Sequence, residues 1–190
     1  MLKFTELLSP ENIRQGLVCT SKKRAFEIIS CLVAKQLSEQ NKDVENAEDI
    51  DLQDTETLCV DCLFSREKLG NSSLGNGLAM PKGRLPLGNK PIAVFLQLNA
   101  PLEYDAPDHR EVDLVFALLA PTEHCSNLVQ ELPDLVERLK DKSLVKQLRN
   151  AQSAEEIWQI FQFADTHAEH ELAELQMAEQ QNVAEQKEEE

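Results

Sequence analysis

The chain has 190 residues, 42% of them apolar, which is enough for one domain with a sizeable core and some extensions. Its formal charge of −15, with no basic face to offset it, argues against nucleic acid as a partner. No apolar run approaches the ~18 residues needed to span a bilayer, and no signal-peptide core follows Met1. Membrane insertion is therefore not expected and a cytoplasmic location is.

The charge is localised. Residues 41–56 hold seven acids against Lys42, and residues 164–190 hold nine against Lys187. This divides the chain into a body over 1–163, carrying an acidic insertion at about 41–56, and an acidic tail over 164–190 that is expected to be mobile. The cysteines, five in number, suit no paired disulfide framework. Cys59-Val60-Asp61-Cys62 is a lone CxxC without the further ligands that zinc requires. It reads as small buried thiols on a helix, and no metal or other cofactor is expected.

In chain order, residues 4–8 form a short helical turn ended by Ser9-Pro10, and Ile13 to Val18 a brief strand. Thr20 or Ser21 caps a helix to about Glu39, with Ala25, Ile29, Leu32 or Val33, and Leu37 on one side. Its first turn, Lys22-Lys23-Arg24, opposes the helix macrodipole and reads as a basic surface patch or a solvated face. Residues 40–54 lack periodicity and are expected to form an exposed loop. A helix from Thr57 to Leu69 stops at Gly70, and Leu78-Ala79-Met80 is a short extended piece. Ile92 to Leu98 and Val112 to Leu119 are nearly continuous apolar runs, the pattern of strands covered on both faces. Pro121-Thr122-Glu123 opens a helix to about Lys140, with a kink or break expected near Glu131 because Pro133 lies inside it. Ser143 to Asn150 is a further helix. Ser153-Ala154-Glu155-Glu156 is a capping box that launches the last core helix, with Ile157, Ile160 and Phe161 inward and Trp158 over the core edge.

Four of the six glycines fall at 70, 75, 77 and 83. Glycine concentrates where the backbone takes positive φ or approaches another group closely, and successive free N–H groups there can hold an anion. The stretch runs into Pro81-Lys82-Gly83-Arg84, which adds two cations. It reads as a backbone cradle for something negative, or as a plain connection.

The run Ser65-Arg66-Glu67-Lys68-Leu69-Gly70, followed by Leu74-Gly75-Asn76-Gly77-Leu78-Ala79-Met80-Pro81, resembles the type-2 IIA domains of the bacterial phosphoenolpyruvate-dependent phosphotransferase system. It is most similar to their nitrogen-related branch. Ser21 to Ile29 and Val112 to Pro121 carry the same resemblance, which covers roughly residues 4 to 163. It implies an α/β fold, a mixed sheet of about five strands flanked by helices.

In that family the residue after the glycine-loop proline is the histidine that accepts the phosphoryl group, and here the position holds Lys82. The family's second active-site histidine falls on Leu128. Its supporting arginine is kept as Arg66, and Gly75, Asn76, Gly77 and Gly83 keep the glycine frame that would bind the ligand. A lysine ammonium, with an ordinary pKa of about 10.4, has no lone pair to offer phosphorus near neutral pH. The resemblance therefore implies a regulatory binding module that cannot take phosphoryl at the usual place. The alternative is an active phosphoryl carrier using His124 or His109. A further possibility is an accessory protein whose acidic tail binds a basic partner. The implied partners are proteins: the system's phosphocarrier protein, potassium-transport components or sensor kinases. His167 and His170 stand three apart on the tail, too few ligands for a metal site.

Overall fold

The structure is a computed structural model, and it describes residues 1–42, 51–85 and 87–188. Its centre is a six-stranded mixed sheet in the order β1-β5-β6-β3-β2, with β4 also paired to β6. The two long strands are β5 (Ile92–Leu102) and β6 (Val112–Pro121), paired antiparallel. β1 (Ile13–Leu17) adds parallel to β5. On the other side of β6 lie β3 (Leu78–Ala79) and β4 (Lys82–Leu85), both parallel to it, and β2 (Ser73–Gly75) turns back on β3.

The apolar runs of β5 and β6 divide between two cores. Val94, Leu96, Val115, Ala117 and Leu119 face α2 (Lys22–Lys42) and α3 (Leu52–Glu67). Phe95, Leu114, Phe116 and Leu118 face α1 (Phe4–Leu7), α4 (Cys125–Leu139), α5 (Lys142–Asn150) and α6 (Ala154–Glu188). Strand residues alternate sides, so burying both faces demands an unbroken apolar sequence. On the second face Phe161 packs against Phe4, Phe95 and Phe116, with centroids 5.0, 5.2 and 6.0 Å away.

The sheet has six strands where about five were expected. Three element boundaries also differ from the sequence expectation, each for a local reason. The acidic stretch yields helix at both ends: α2 runs to Lys42 and α3 starts at Leu52. Asp51 accepts from the Asp54 N–H at 2.9 Å, and Asp54 sits in the first turn, where an acid complements the macrodipole. Positions 43–50, the middle of the proposed insertion, lie outside the described residues.

Secondly, α4 continues through Pro133 without a break. Pro133 and Val129, whose carbonyl lacks its usual partner, both face solvent, while Leu135 and Leu139 anchor the opposite side. On the solvent side the freed carbonyl is open to hydration, so the proline costs the helix little there. The segment ahead of it, Thr122–His124, is a 3₁₀ turn rather than the first turn of the helix.

Thirdly, α6 passes position 163 and continues to Glu188. Asp165, just beyond the compositional boundary, is buried and accepts from the N–H groups of Phe4 (2.8 Å) and Thr5 (3.0 Å). At the start of this helix Ser153 accepts from Glu156 N–H, but the Glu156 carboxylate reaches Gln152 N–H, one residue before the expected partner. No helix among the described residues is long and apolar enough to cross a membrane.

Candidate functional site

β4 is the element that builds the site. Its residues alternate, so Gly83 and Leu85 are buried while Lys82 is half-buried and Arg84 exposed. Gly83 permits close packing: a Cβ there would lie 3.3 Å from Cys62 Cβ on α3, tighter than usual, and 3.5 Å from Leu119 Cγ. This approach brings the end of α3 beside β4. The result is a cavity of about 720 Å³ between the end of α3, β4, the end of β6 and α4. Lys82, Arg66 and Arg84 line it with charge; Leu118, Leu128 and Leu132 supply much of its apolar wall.

Lys82, Arg66, Gly83 and Leu128, which the resemblance assigns to one site, meet around one space. Burial pulls the Lys82 ammonium below its ordinary value, and the neighbouring Arg66 charge adds to this, while Glu67 opposes it. Glu67 itself is committed elsewhere. Its carboxylate pairs with Lys22 and accepts from Ser72 N–H at 3.0 Å. Lys22 also sits 4.1 Å over the Tyr104 ring, and the Tyr104 hydroxyl meets Ser72 Oγ at 2.7 Å. One member of the expected basic patch is therefore an internal ion-pair partner, and Arg24 pairs with Glu27 on its own helix.

Gly75, Asn76 and Gly77 do not line this cavity. They form the tight turn between β2 and β3, with φ values of 89°, 55° and 81°. Positive φ at both Asn76 and Gly77 marks a two-residue hairpin turn, and the Asn-Gly pair is the sequence signal for it. The N–H of Asn76 donates to Asp108 Oδ2 at 3.1 Å, and the Gly77 carbonyl accepts from Asp113 and Leu114 N–H. The protein's own groups thus occupy this part of the glycine stretch.

The substitute histidines are also elsewhere. His124 ends the 3₁₀ turn, outside the cavity lining, with Nδ1 buried and unpartnered. His109 is exposed in the β5–β6 connection at φ 58°. Cys59 and Cys62 are thiols on α3, as the lone CxxC suggested, but only Cys59 is buried; Cys62 is half-buried and borders the cavity. Among the described residues no cluster of His, Cys, Asp and Glu has the geometry to hold a metal.

Three sequence features escaped notice: the hairpin turn, Asp113 with Arg149 behind it, and Asp165. Only the first has a short-range signature; the other two join residues 36 and 160 apart.

Comparison with known proteins places these features in a family. Residues 6–164 match the family model for the phosphoenolpyruvate-dependent sugar phosphotransferase system, EIIA 2. A nitrogen regulatory protein homolog of Haemophilus influenzae is 50% identical over 166 residues, 86% of this chain and 93% of the relative. The nitrogen regulatory protein of Escherichia coli is 39% identical over 160 residues, 84% of this chain and 89% of that protein. Among solved structures, IIA-Ntr from Neisseria meningitidis superimposes with a TM-score of 0.68 at 31% identity, covering 82% of this chain and 97% of that one. IIA mannitol from E. coli shares the fold, with a TM-score of 0.58 at 21% identity over 80% of this chain and 97% of its own. The mixed sheet and these similarities agree: the chain belongs to the type-2 EIIA family of the phosphotransferase system, among relatives named nitrogen regulatory proteins.

Proposed function

We propose that this chain is a nitrogen-regulatory IIA-like module that acts by binding protein partners and does not accept a phosphoryl group at the family's usual position. One observation carries the reading. At the residue after the glycine-stretch proline, where the resemblance puts the phosphoryl-accepting histidine, stands Lys82, facing a cavity whose opposite wall holds Leu128 instead of a second histidine.

The chemistry follows from the nitrogen lone pair. Imidazole is uncharged and nucleophilic near neutral pH, whereas an ammonium must first lose its proton. Burial and Arg66 move Lys82 in that direction, but a neutral amine at pH 7 needs a fall of about 3 units from the lysine reference value. A permanent cation here replaces a group whose phosphorylation would have added about −1.5 to −2 of charge, by analogy with other phosphorylated residues. The module is thereby held in a state like the unphosphorylated one.

The carrier alternative finds little support in His124 or His109, neither of which lines the cavity. A solved complex pairs enzyme IIA mannitol of E. coli with phosphorylated enzyme IIB mannitol. We assign the docking of a protein partner of this chain, be it a phosphocarrier, a potassium-transport component or a sensor kinase, to the face around β4 and α4, where Leu69 and Val129 are exposed beside the cavity. Location in the cytoplasm belongs to the same proposal.

Incubation with phosphoenolpyruvate and the general phosphotransferase proteins, followed by intact-mass measurement at mildly alkaline pH, tests this. The expected result is no added phosphoryl mass, about 80 Da. A stoichiometric phosphoryl adduct that disappears in Lys82→Arg or in His124→Ala would overturn it.

A further inference from the structure

The cavity beside β4 is cationic in a strongly acidic protein. Lys82, Arg66 and Arg84 face it, with Asp61 the one acid among its lining residues. Among the described residues none of these three cations has an ion pair. Arg66 makes a single long hydrogen bond, to the Gly70 carbonyl at 3.5 Å. Glu67, the carboxylate whose field reaches Lys82, is held by Lys22 and Ser72. A half-buried ammonium without a counter-ion is an arrangement that a bound anion would relieve, and the relief is larger where apolar walls keep water out.

Those walls set the rest of the ligand. Leu118, Leu128 and Leu132 line the inside, while Val129 and Leu69 stand at the rim with 60% and 84% of their surface in water. Such exposure of large apolar side chains around a concavity of about 720 Å³ matches a small-molecule site, for which ~300–1,000 Å³ is usual. A bare inorganic anion would satisfy Lys82 and Arg66 but leave the apolar wall wet.

We propose that this cavity binds a small organic anion with an apolar body, a carboxylate whose head pairs with Lys82 and Arg66 and whose tail lies on the α4 leucines. Binding of this kind makes no demand on phosphoryl transfer, so it stands or falls separately from the regulatory reading.

Calorimetric titration of the full chain with octanoate is the direct test, with inorganic phosphate and octan-1-ol as the head-only and tail-only probes. Octanoate is expected to bind one site with Kd below about 1 mM, with both other probes at least about tenfold weaker. Lys82→Met and Val129→Glu should each weaken octanoate by about tenfold or more. Val129 is exposed on α4, so its variant keeps the fold even if Lys82→Met disturbs it. No saturable octanoate binding up to about 10 mM, unchanged affinity in both variants, or phosphate binding as tightly as octanoate would each overturn the proposal.

Discussion

Arg149 on α5 and Asp113 on β6 form a two-pronged ion pair, Nε to Oδ2 at 2.6 Å and Nη2 to Oδ1 at 2.8 Å. The same Nη2 donates to the Asn76 carbonyl at 2.9 Å, so the pair holds the β2–β3 hairpin turn against the sheet. A Cβ on Gly77 would lie 2.8 Å from Asp113 Oδ1 and 3.0 Å from Arg149 Nη2, at a φ of 81°. Gly77→Ala therefore meets both backbone strain and a clash with the pair. Urea unfolding should show a loss of about 2 kcal/mol or more, since positive φ alone costs about 1–2. A change within about 0.5 kcal/mol, the scale of an ordinary surface substitution, would contradict this account.

Asp165 ties the far end of the domain to its beginning. Besides the two backbone donors it accepts from Thr5 Oγ1 at 2.8 Å and lies 3.7 Å from the Arg138 guanidinium, which also bonds the Leu2 carbonyl. Asp165→Ala leaves the Phe4, Thr5 and Thr5 Oγ1 donors without their acceptor, while Arg138 keeps Asp134, so a loss of about 2–3 kcal/mol is expected. A chain ending at residue 163 should lose as much, whereas one ending at 170 should keep the bonds. Equal stability of the two truncations would show that the helix beyond 163 contributes nothing.

Lys82 makes stability depend on pH in a defined direction. Its folded-state pKa lies below the ordinary 10.5, so between those two values the unfolded chain holds more protons and stability rises with pH. Below the lowered value the charge is present in both states and its burial costs stability. Lys82→Met removes that cost, and the variant should be the more stable at pH 7, by under about 1 kcal/mol because the amine remains partly hydrated. The difference should shrink as pH approaches 10.5. Denaturant titrations of both proteins at neutral and alkaline pH would show it; a less stable variant at pH 7 would contradict it.

The thiols should differ sharply in reactivity. Cys59 is fully buried and its thiol is pushed up to about 12, chiefly by burial, while burial also raises Cys62 and Cys31. At pH 8 a thiol of that pKa is about one part in ten thousand thiolate. Brief alkylation of the native protein with iodoacetamide, mapped by peptide mass, should leave Cys59 unmodified until denaturant is added. Early labelling of Cys59 would mean that α3 opens readily.

Much of the frame is legible without coordinates. β5 and β6 announce themselves because burial on both faces leaves no room for polar residues, and the caps at Ser21 and Ser153 do so because helix N-terminal N–H groups need a nearby oxygen. Of the short strands, β1 and β3 show as the extended pieces at Ile13 to Val18 and Leu78-Ala79-Met80, whereas β2 (Ser73–Gly75) and β4 (Lys82–Leu85) are too brief for a period-two pattern to emerge. The glycine stretch read as an anion cradle or a plain connection, and its residues serve different ends. Asn76 and Gly77 turn a hairpin, and Gly83 admits α3 to the sheet. The start of α3 was masked by its acids, which read as loop composition but act as a cap at Asp51.

By itself the sequence determined the family frame, the two central strands and the identity of residue 82, because each is written in neighbouring residues. Only the tertiary structure decided what surrounds that residue. The cavity exists because β4 pairs with the end of β6 and Gly83 lets α3 close over it, bringing Arg66, Lys82 and Leu128 together from three separate segments. Such convergence depends on which strands pair and how closely helices pack, and no local pattern in the chain encodes it.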